Sequence, residues 1–252
     1  MAKLSDIIAF CDEYLEIAKF KDSSLNGLQV EGKSEVKKIA LGVSCNQRLF
    51  KTAQKNSCDL IITHHGLLWN KRWQYIRGPQ KDRIKFLLEK EISLAAYHLP
   101  LDAHPEIGNN PEGLKRLGVD IKGKFGWYDG SYIGFWGQLT SKITLVKFRE
   151  RVDKVFNTRS QSVAGGKAMI ETVAFVSGGA RMYLEEAIDK GLDVYLTGET
   201  NESAPAMALE GGINFISAGH YNTEKFGVMS LGKVLEKKFR AKTEFIDVPN
   251  AL

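Results

Sequence analysis

Residues 39–65 read IALGVSCNQRLFKTAQKNSCDLIITHH, and residues 173–199 read VAFVSGGARMYLEEAIDKGLDVYLTGE. Each runs as apolar strand, small polar turn, helix, aspartate, apolar strand, threonine and two polar residues. The segments align without a gap, setting Ala40 against Ala174, Ala53 against Ala187, Asp59 against Asp193 and Thr63 against Thr197. Identities are few, but residue class agrees through strand, turn and helix, as in an internal repeat. A second pair extends the correspondence. YHLPLD (97–102) and GHYNTE (219–224) each follow a short apolar strand and each carry His-x-x-x-Asp/Glu, so His98 and Asp102 match His220 and Glu224. Strands alternating with helices predict the α/β class: two similar α/β domains related by the repeat, with mostly parallel sheets flanked by helices.

The first repeat is expected over 1–126, with the His-His and His-x-x-x-Asp motifs. The second is expected over 127–252, with His-x-x-x-Glu and a C-terminal segment able to pack back on the first domain. Apolar positions at helical spacing over residues 4–18 predict an opening helix with Ser5 as its N-cap. The glycine- and aromatic-rich stretch 122–139 supplies the connection and hairpin strands of the second half.

A chain of 252 residues can bury a substantial core. Its three cysteines form no Cys-x-x-Cys pair, which argues against a disulfide framework or thiolate zinc site and fits a reducing cytoplasm. Asp6, Asp12 and Glu13 interrupt the segment a secretory signal would need, and no long apolar run occurs, so a soluble protein with no membrane partner is expected. The net charge of +5 comes from dispersed basic residues. One exception is 69–86, where Lys71, Arg72, Arg77, Lys81, Arg83 and Lys85 interleave with Trp69, Trp73 and Tyr75. That composition suits a nucleic-acid surface and equally a solvated loop and helix face.

Chemistry concentrates at the strand ends. Adjacent residues in a strand face opposite ways, so His64 and His65 converge only if the strand stops there, and Gly66 is expected to let the backbone turn. In α/β sheets ligands gather beyond the carboxyl ends of the strands. His64, His65, Asp102, His220 and Glu224 all fall there, too many donors for one tetrahedral ion. The set suits two divalent ions, Fe, Zn or Mn among them, about 3.5–4 Å apart. His98 is a candidate donor behind Asp102 or a proton relay. Glu199 reads as a general base, a substrate anchor, or a carboxylate accepting from turn amides. His104 orders the 101–114 loop.

NGLQVEG, THHGLLW, YHLPLDAHPEIGNN, SGGA, TGE and GHYNTE resemble, in order and spacing, the signatures of the Nif-three-like dinuclear metal-binding proteins, also described as GTP cyclohydrolase I type 2 homologues, in their compact bacterial-type form. The resemblance spans nearly the whole chain. It implies two α/β domains and the same five ligands, and a homo-hexameric toroid built as a trimer of dimers. It further implies a metal-dependent hydrolase acting on a nucleotide or related phosphorylated metabolite, GTP in the family's name, with Arg77 or Lys81 meeting the phosphates. Tyr221 departs from the pattern, since many relatives carry histidine there. Metal storage or delivery without catalysis, and a toroid that binds nucleic acid, are the alternative readings.

Overall fold

The computed structural model describes residues 1–70 and 75–250. Lys71, Arg72 and Trp73 of the basic and aromatic stretch lie outside the described residues. The chain forms two compact units, one comprising residues 1–101 and 227–248, the other 102–226 with the chain's end. The first boundary falls earlier than the expected 126/127. The reason is pairing: Val119–Tyr128 is hydrogen-bonded along its length to Ser131–Thr144, and the two strands of this hairpin cannot be assigned to different domains.

Unit 1 holds a five-stranded sheet in the order Lys242–Phe245, Lys38–Ser44, Leu60–His65, Ser93–Ala96, Gly27–Val30. Its first three pairings are parallel and the last is antiparallel. The central strands are buried almost throughout, as parallel strands covered on both faces must be. Helix Gln47–Lys55 starts where the Asn46 side chain accepts from Leu49 N at 2.9 Å, and it buries Leu49, Phe50 and Ala53. The opening helix spans Leu4–Tyr14. Its N-cap is Lys3, not Ser5; the Ser5 hydroxyl lies inside the first turn and donates to Asp6 Oδ1.

Unit 2 holds a six-stranded sheet in the order Val119–Tyr128, Ser131–Thr144, Met169–Val176, Val194–Thr197, Asn214–Ser217, Gln161–Ala164. Only the three strands from Met169 to Ser217 pair in parallel, so this sheet is mixed. Phe148, Val152 and Phe156, on the inner face of helix Leu145–Phe156, pack into its core with Val173, Phe175 and Leu196.

The repeat is visible in the pairing register. Ile39 opposes Leu60 as Val173 opposes Val194, and the repeat mates Ala53 and Ala187 are both wholly buried beneath their helices. Asp59 Oδ2 accepts from the backbone N–H groups of Lys37 and Lys38 at 2.8 and 3.3 Å. Its mate Asp193 accepts from Glu171 and Thr172 at 2.9 and 3.0 Å, the same positions one repeat on. Each aspartate thus ties the entry of one parallel strand to the start of the next. Among the described residues, no helix is long and apolar enough to cross a membrane.

Burial pushes the Asp193 carboxyl upward, but the N–H groups of Thr172 and Glu171 and the Lys167 ammonium outweigh it and hold the group below the usual carboxylate range. A depressed folded pKa stabilises the fold above the unfolded value of about 4 and is lost as pH falls through the folded value. Asp193→Ala, which strands two backbone donors, is expected to cost about 1–3 kcal/mol at neutral pH and to flatten the acid limb of stability. Urea unfolding at pH 7 and pH 3 measures both.

Candidate metal centre

In unit 1 the strand Leu60–His65 ends in the two histidines, and His98 follows the end of strand Ser93–Ala96. The ring nitrogens these three offer lie within 4.8 Å of one another. His64 is wholly buried, and its Nδ1 lies 3.0 Å from the Tyr97 carbonyl oxygen. A carbonyl only accepts, so Nδ1 carries the proton and Nε2 the lone pair. His65 Nδ1 lies 3.1 Å from Ser44 Oγ, a hydroxyl that adapts to either tautomer. His98 Nδ1 lies 2.9 Å from Asp22 Oδ1.

Asp22 is the hub of this arrangement. Its Oδ1 also accepts from Ser24 N, and its other oxygen accepts from the Asn26 amide and from Leu99 N. Asn26 Oδ1 in turn accepts from His98 N at 2.7 Å. Burial pushes the Asp22 carboxyl up, but the hydrogen bond and charge of His98, with the Asn26 and Ser24 donors, win and hold it at about 2. It is therefore an anion at neutral pH and fixes Nδ1–H on His98, the carboxylate–histidine arrangement that orients metal ligands.

Gly66 serves differently from expectation. It is outside the left-handed region, and what demands glycine is crowding: a Cβ there would lie 2.6 Å from Ala96 Cβ and against the Gln29 side chain. Gln29 Oε1 accepts from Leu67 N and Leu68 N at 2.7 and 2.9 Å, so it turns the chain after the histidines. Trp69 follows, its ring 5.1 Å from that of His98 and 6.0 Å from that of His65.

In unit 2, Asp102 is buried on the short helix Leu99–Ala103. Its Oδ1 accepts from both Ser177 Oγ and Asn109 Nδ2, at 2.8 and 2.9 Å, which orients the carboxylate. His220 Nε2 lies 3.1 Å from Glu224 Oε1, and its Nδ1 lies 2.6 Å from Glu199 Oε1. Burial alone would lower the His220 pKa, but Glu224 and Glu199 together raise it to about 9. An imidazole with a carboxylate on each ring nitrogen attracts a cation, and His220 and Glu224 are among the residues that could hold a metal ion. Gly178, at φ +66, permits this approach, because a Cβ there would fall on Glu224 Oε1 and 3.1 Å from His220 Nε2.

Glu199, read from sequence as a base or anchor, is in contact with His220 and positions it. His104 Nδ1 accepts from Glu106 N and Ile107 N at 3.3 Å each, which orders its loop. Tyr221 is buried, with the Lys225 ammonium 5.6 Å from its ring centroid. Asp22 was not among the sequence candidates: it lies 76 residues from His98 in a polar loop, and no spacing rule connects them. Ser177, Asn109 and Gln29 sit inside the motifs SGGA, GNN and NGLQVEG, which was the only available signal.

Two α/β units related by a repeat, with imidazole and carboxylate donors near the carboxyl ends of their strands, define a class of protein whose clustered side chains could hold a metal ion. The chain belongs to the Duf34/NIF3 (NGG1p interacting factor 3) family, whose model matches residues 2–251. It is 41% identical over 249 residues to an Archaeoglobus fulgidus protein named GTP cyclohydrolase 1 type 2 homolog, covering 99% of each chain. Among solved structures it is similar to protein ybgI, described as of unknown function, at a TM-score of 0.95 with 33% identity and full coverage of both chains. It is also similar to a Thermus thermophilus protein, TTHA1606, at a TM-score of 0.90 with 36% identity and full coverage of both.

Two outcomes follow from this geometry. Gly178→Ala forces a side chain into the left-handed region, so stability is expected to fall by about 1–2 kcal/mol even before Glu224 is displaced, as measured by denaturant unfolding. Asp22, with its depressed pKa, stabilises the fold fully above about pH 4 and loses that contribution as pH falls toward 2. Asp22→Asn is therefore expected to destabilise at pH 7 and to show a shallower loss of stability between those limits.

Proposed function

We propose that this protein is a metal-dependent hydrolase with a dinuclear centre, acting on a nucleotide or related phosphorylated metabolite, with GTP the first to test. His64, His65, Asp102, His220 and Glu224 are the ligands of the two divalent ions, Fe, Zn or Mn. The observation that carries the reading is a shared one: each of His64, His65 and His220 has Nδ1 engaged, and Asp102 has Oδ1 engaged, by a partner that orders the remaining donor atom. Residues that served only to fill a core would not need such backing. The name carried by the curated A. fulgidus relative supports the substrate class.

Divalent ions bound by these residues supply Lewis acidity and lower the pKa of water. The chain's own residues do the rest. His98 accepts or returns a proton at Nε2, while the Asp22 anion behind Nδ1 stabilises the imidazolium that results. Glu199 holds His220 in orientation. Trp69 sets an apolar wall beside His65 and His98 and keeps water from that side. Arg77 or Lys81, both exposed, meets the substrate's phosphates. The reading includes a homo-hexamer, a trimer of dimers, in the cytoplasm.

The test is a mass-spectrometric comparison of a metabolite extract supplemented with GTP, incubated with metal-loaded wild type or with His64→Ala. Consumption of one compound by wild type only is the expected result, with His64→Ala folded and depleted of metal by elemental analysis. A full metal complement in that variant would refute the ligand assignment. No consumption by a wild type carrying two ions would move the protein to metal holding.

A further inference from the structure

The two edge strands of the unit-1 sheet differ in character. Lys242–Phe245 is charged, and its Glu244 is ion-paired with Lys38 at 2.6 Å. Charged side chains are a common means by which an edge strand avoids pairing with another chain. Gly27–Val30, at the opposite edge, reads GLQV, with neither a charge nor a proline, and among the described residues it pairs with Ser93–Ala96 alone. Its outer side is therefore a row of backbone groups without a neighbouring strand.

The pairing register opens this edge on both faces. A one-residue shift sets Leu28 opposite Ala95 and Val30 opposite Leu94. Neighbours in a strand face opposite ways, so Leu28 and Val30 do too, as a bulge at Gln29 requires. Val30 packs with Leu94 and Leu87 on the side of helix Pro79–Glu89, whereas Leu28 lies on the side of helix Leu4–Tyr14. Each side is a cleft. The first, of about 370 Å³, is lined by Gln29, Val30, Leu68, Ile76, Ile84 and Leu88 and is almost wholly apolar. The second, of about 470 Å³, has Leu4, Ile8 and Leu28 as apolar lining and the carboxylates of Asp12, Glu31 and Glu35, with Lys3 the basic residue against them. Glu31 lines both clefts, so their mouths adjoin at the end of the strand.

We propose that Gly27–Val30 accepts an extended segment of a partner protein as an added strand, and that this segment alternates basic and apolar side chains. Main-chain hydrogen bonds to the open edge supply affinity, and clefts on alternate faces select the side chains. Successive residues of an added strand point to opposite faces, so one set meets the acidic cleft and the other the apolar one. A lysine or arginine stem lies along Ile8 and Leu28 while its charged end reaches the carboxylates. Three carboxylates against one ammonium repel an acidic segment. The surface uses none of the metal ligands, so the proposal stands apart from the hydrolase reading.

The probe is an eight-residue peptide of alternating lysine and valine, blocked at both ends and added to the full chain. Amide hydrogen exchange is expected to slow over residues 27–31. Leu88→Glu, which puts a carboxylate into the apolar cleft, is expected to weaken binding about 10-fold or more in calorimetric titration. Glu31→Lys together with Glu35→Lys should weaken it about 10-fold at low salt. These three residues are exposed, and thermal unfolding checks that each variant is folded. Methylating the peptide's backbone nitrogens should abolish binding, because an added strand needs its N–H groups. The proposal is overturned if the methylated peptide binds as well, if an alternating glutamate–valine peptide binds equally, or if the lysine–valine peptide leaves exchange over 27–31 unchanged. It is also overturned if 27–31 is already protected in wild type alone and Leu88→Glu both exposes it and splits an oligomer, for then a second copy of the chain holds the edge.

Discussion

The Tyr97 carbonyl accepts a hydrogen bond from His64 Nδ1–H at 3.0 Å, and both residues are without solvent exposure. A carbonyl cannot donate, so one tautomer is imposed and Nε2 is left as a lone pair at the end of a buried strand. Tyr97 can offer that carbonyl because its own N–H is committed to Thr63 O in the parallel ladder, and its hydroxyl is tied to Asp12 Oδ1 at 2.9 Å. The tautomer and direction of His64 therefore depend on sheet register: a one-residue slip would turn His64 to the other face and take its acceptor away.

The same logic operates in unit 2 with different parts. Asp102 is oriented through Oδ1 by Ser177 and Asn109, and Ser177 is itself placed by its N–H bond to Asn110 Oδ1 at 2.7 Å. The loop after Val176 has to pass close to His220 and Glu224, and only glycine at 178 allows it. Gly178 O then accepts from both Gly198 N and Glu199 N, which fixes the residue that backs His220. Backbone hydrogen bonds and ligand orientation form one network, so changes to either are felt in both.

The repeat explains how such a site is built from one plan used twice. Asp59 and Asp193 clamp equivalent backbone N–H groups, and the parallel strands beyond them keep the same pairing register. What differs is the strand that flanks the core strands of each sheet. Beside the first core strand, unit 1 has the parallel strand Lys242–Phe245, whereas unit 2 has the long antiparallel strand Ser131–Thr144.

The sequence by itself determined the repeat, the α/β class and the placement of His64, His65, Asp102, His220 and Glu224 near strand ends, because these depend on period, turn residues and chain order. Gly66 was read as the residue that lets the backbone turn, whereas the crowding of Gln29 and Ala96 against it is a contact between distant residues. The tertiary structure alone decided that Asp22 backs His98, that Glu199 meets His220 Nδ1, and that the first compact unit ends before the hairpin at Val119. Each of these rests on pairing between segments tens of residues apart. A hydrogen bond to an imidazole leaves no periodic mark in the chain, so it could be found only once the strands were set side by side.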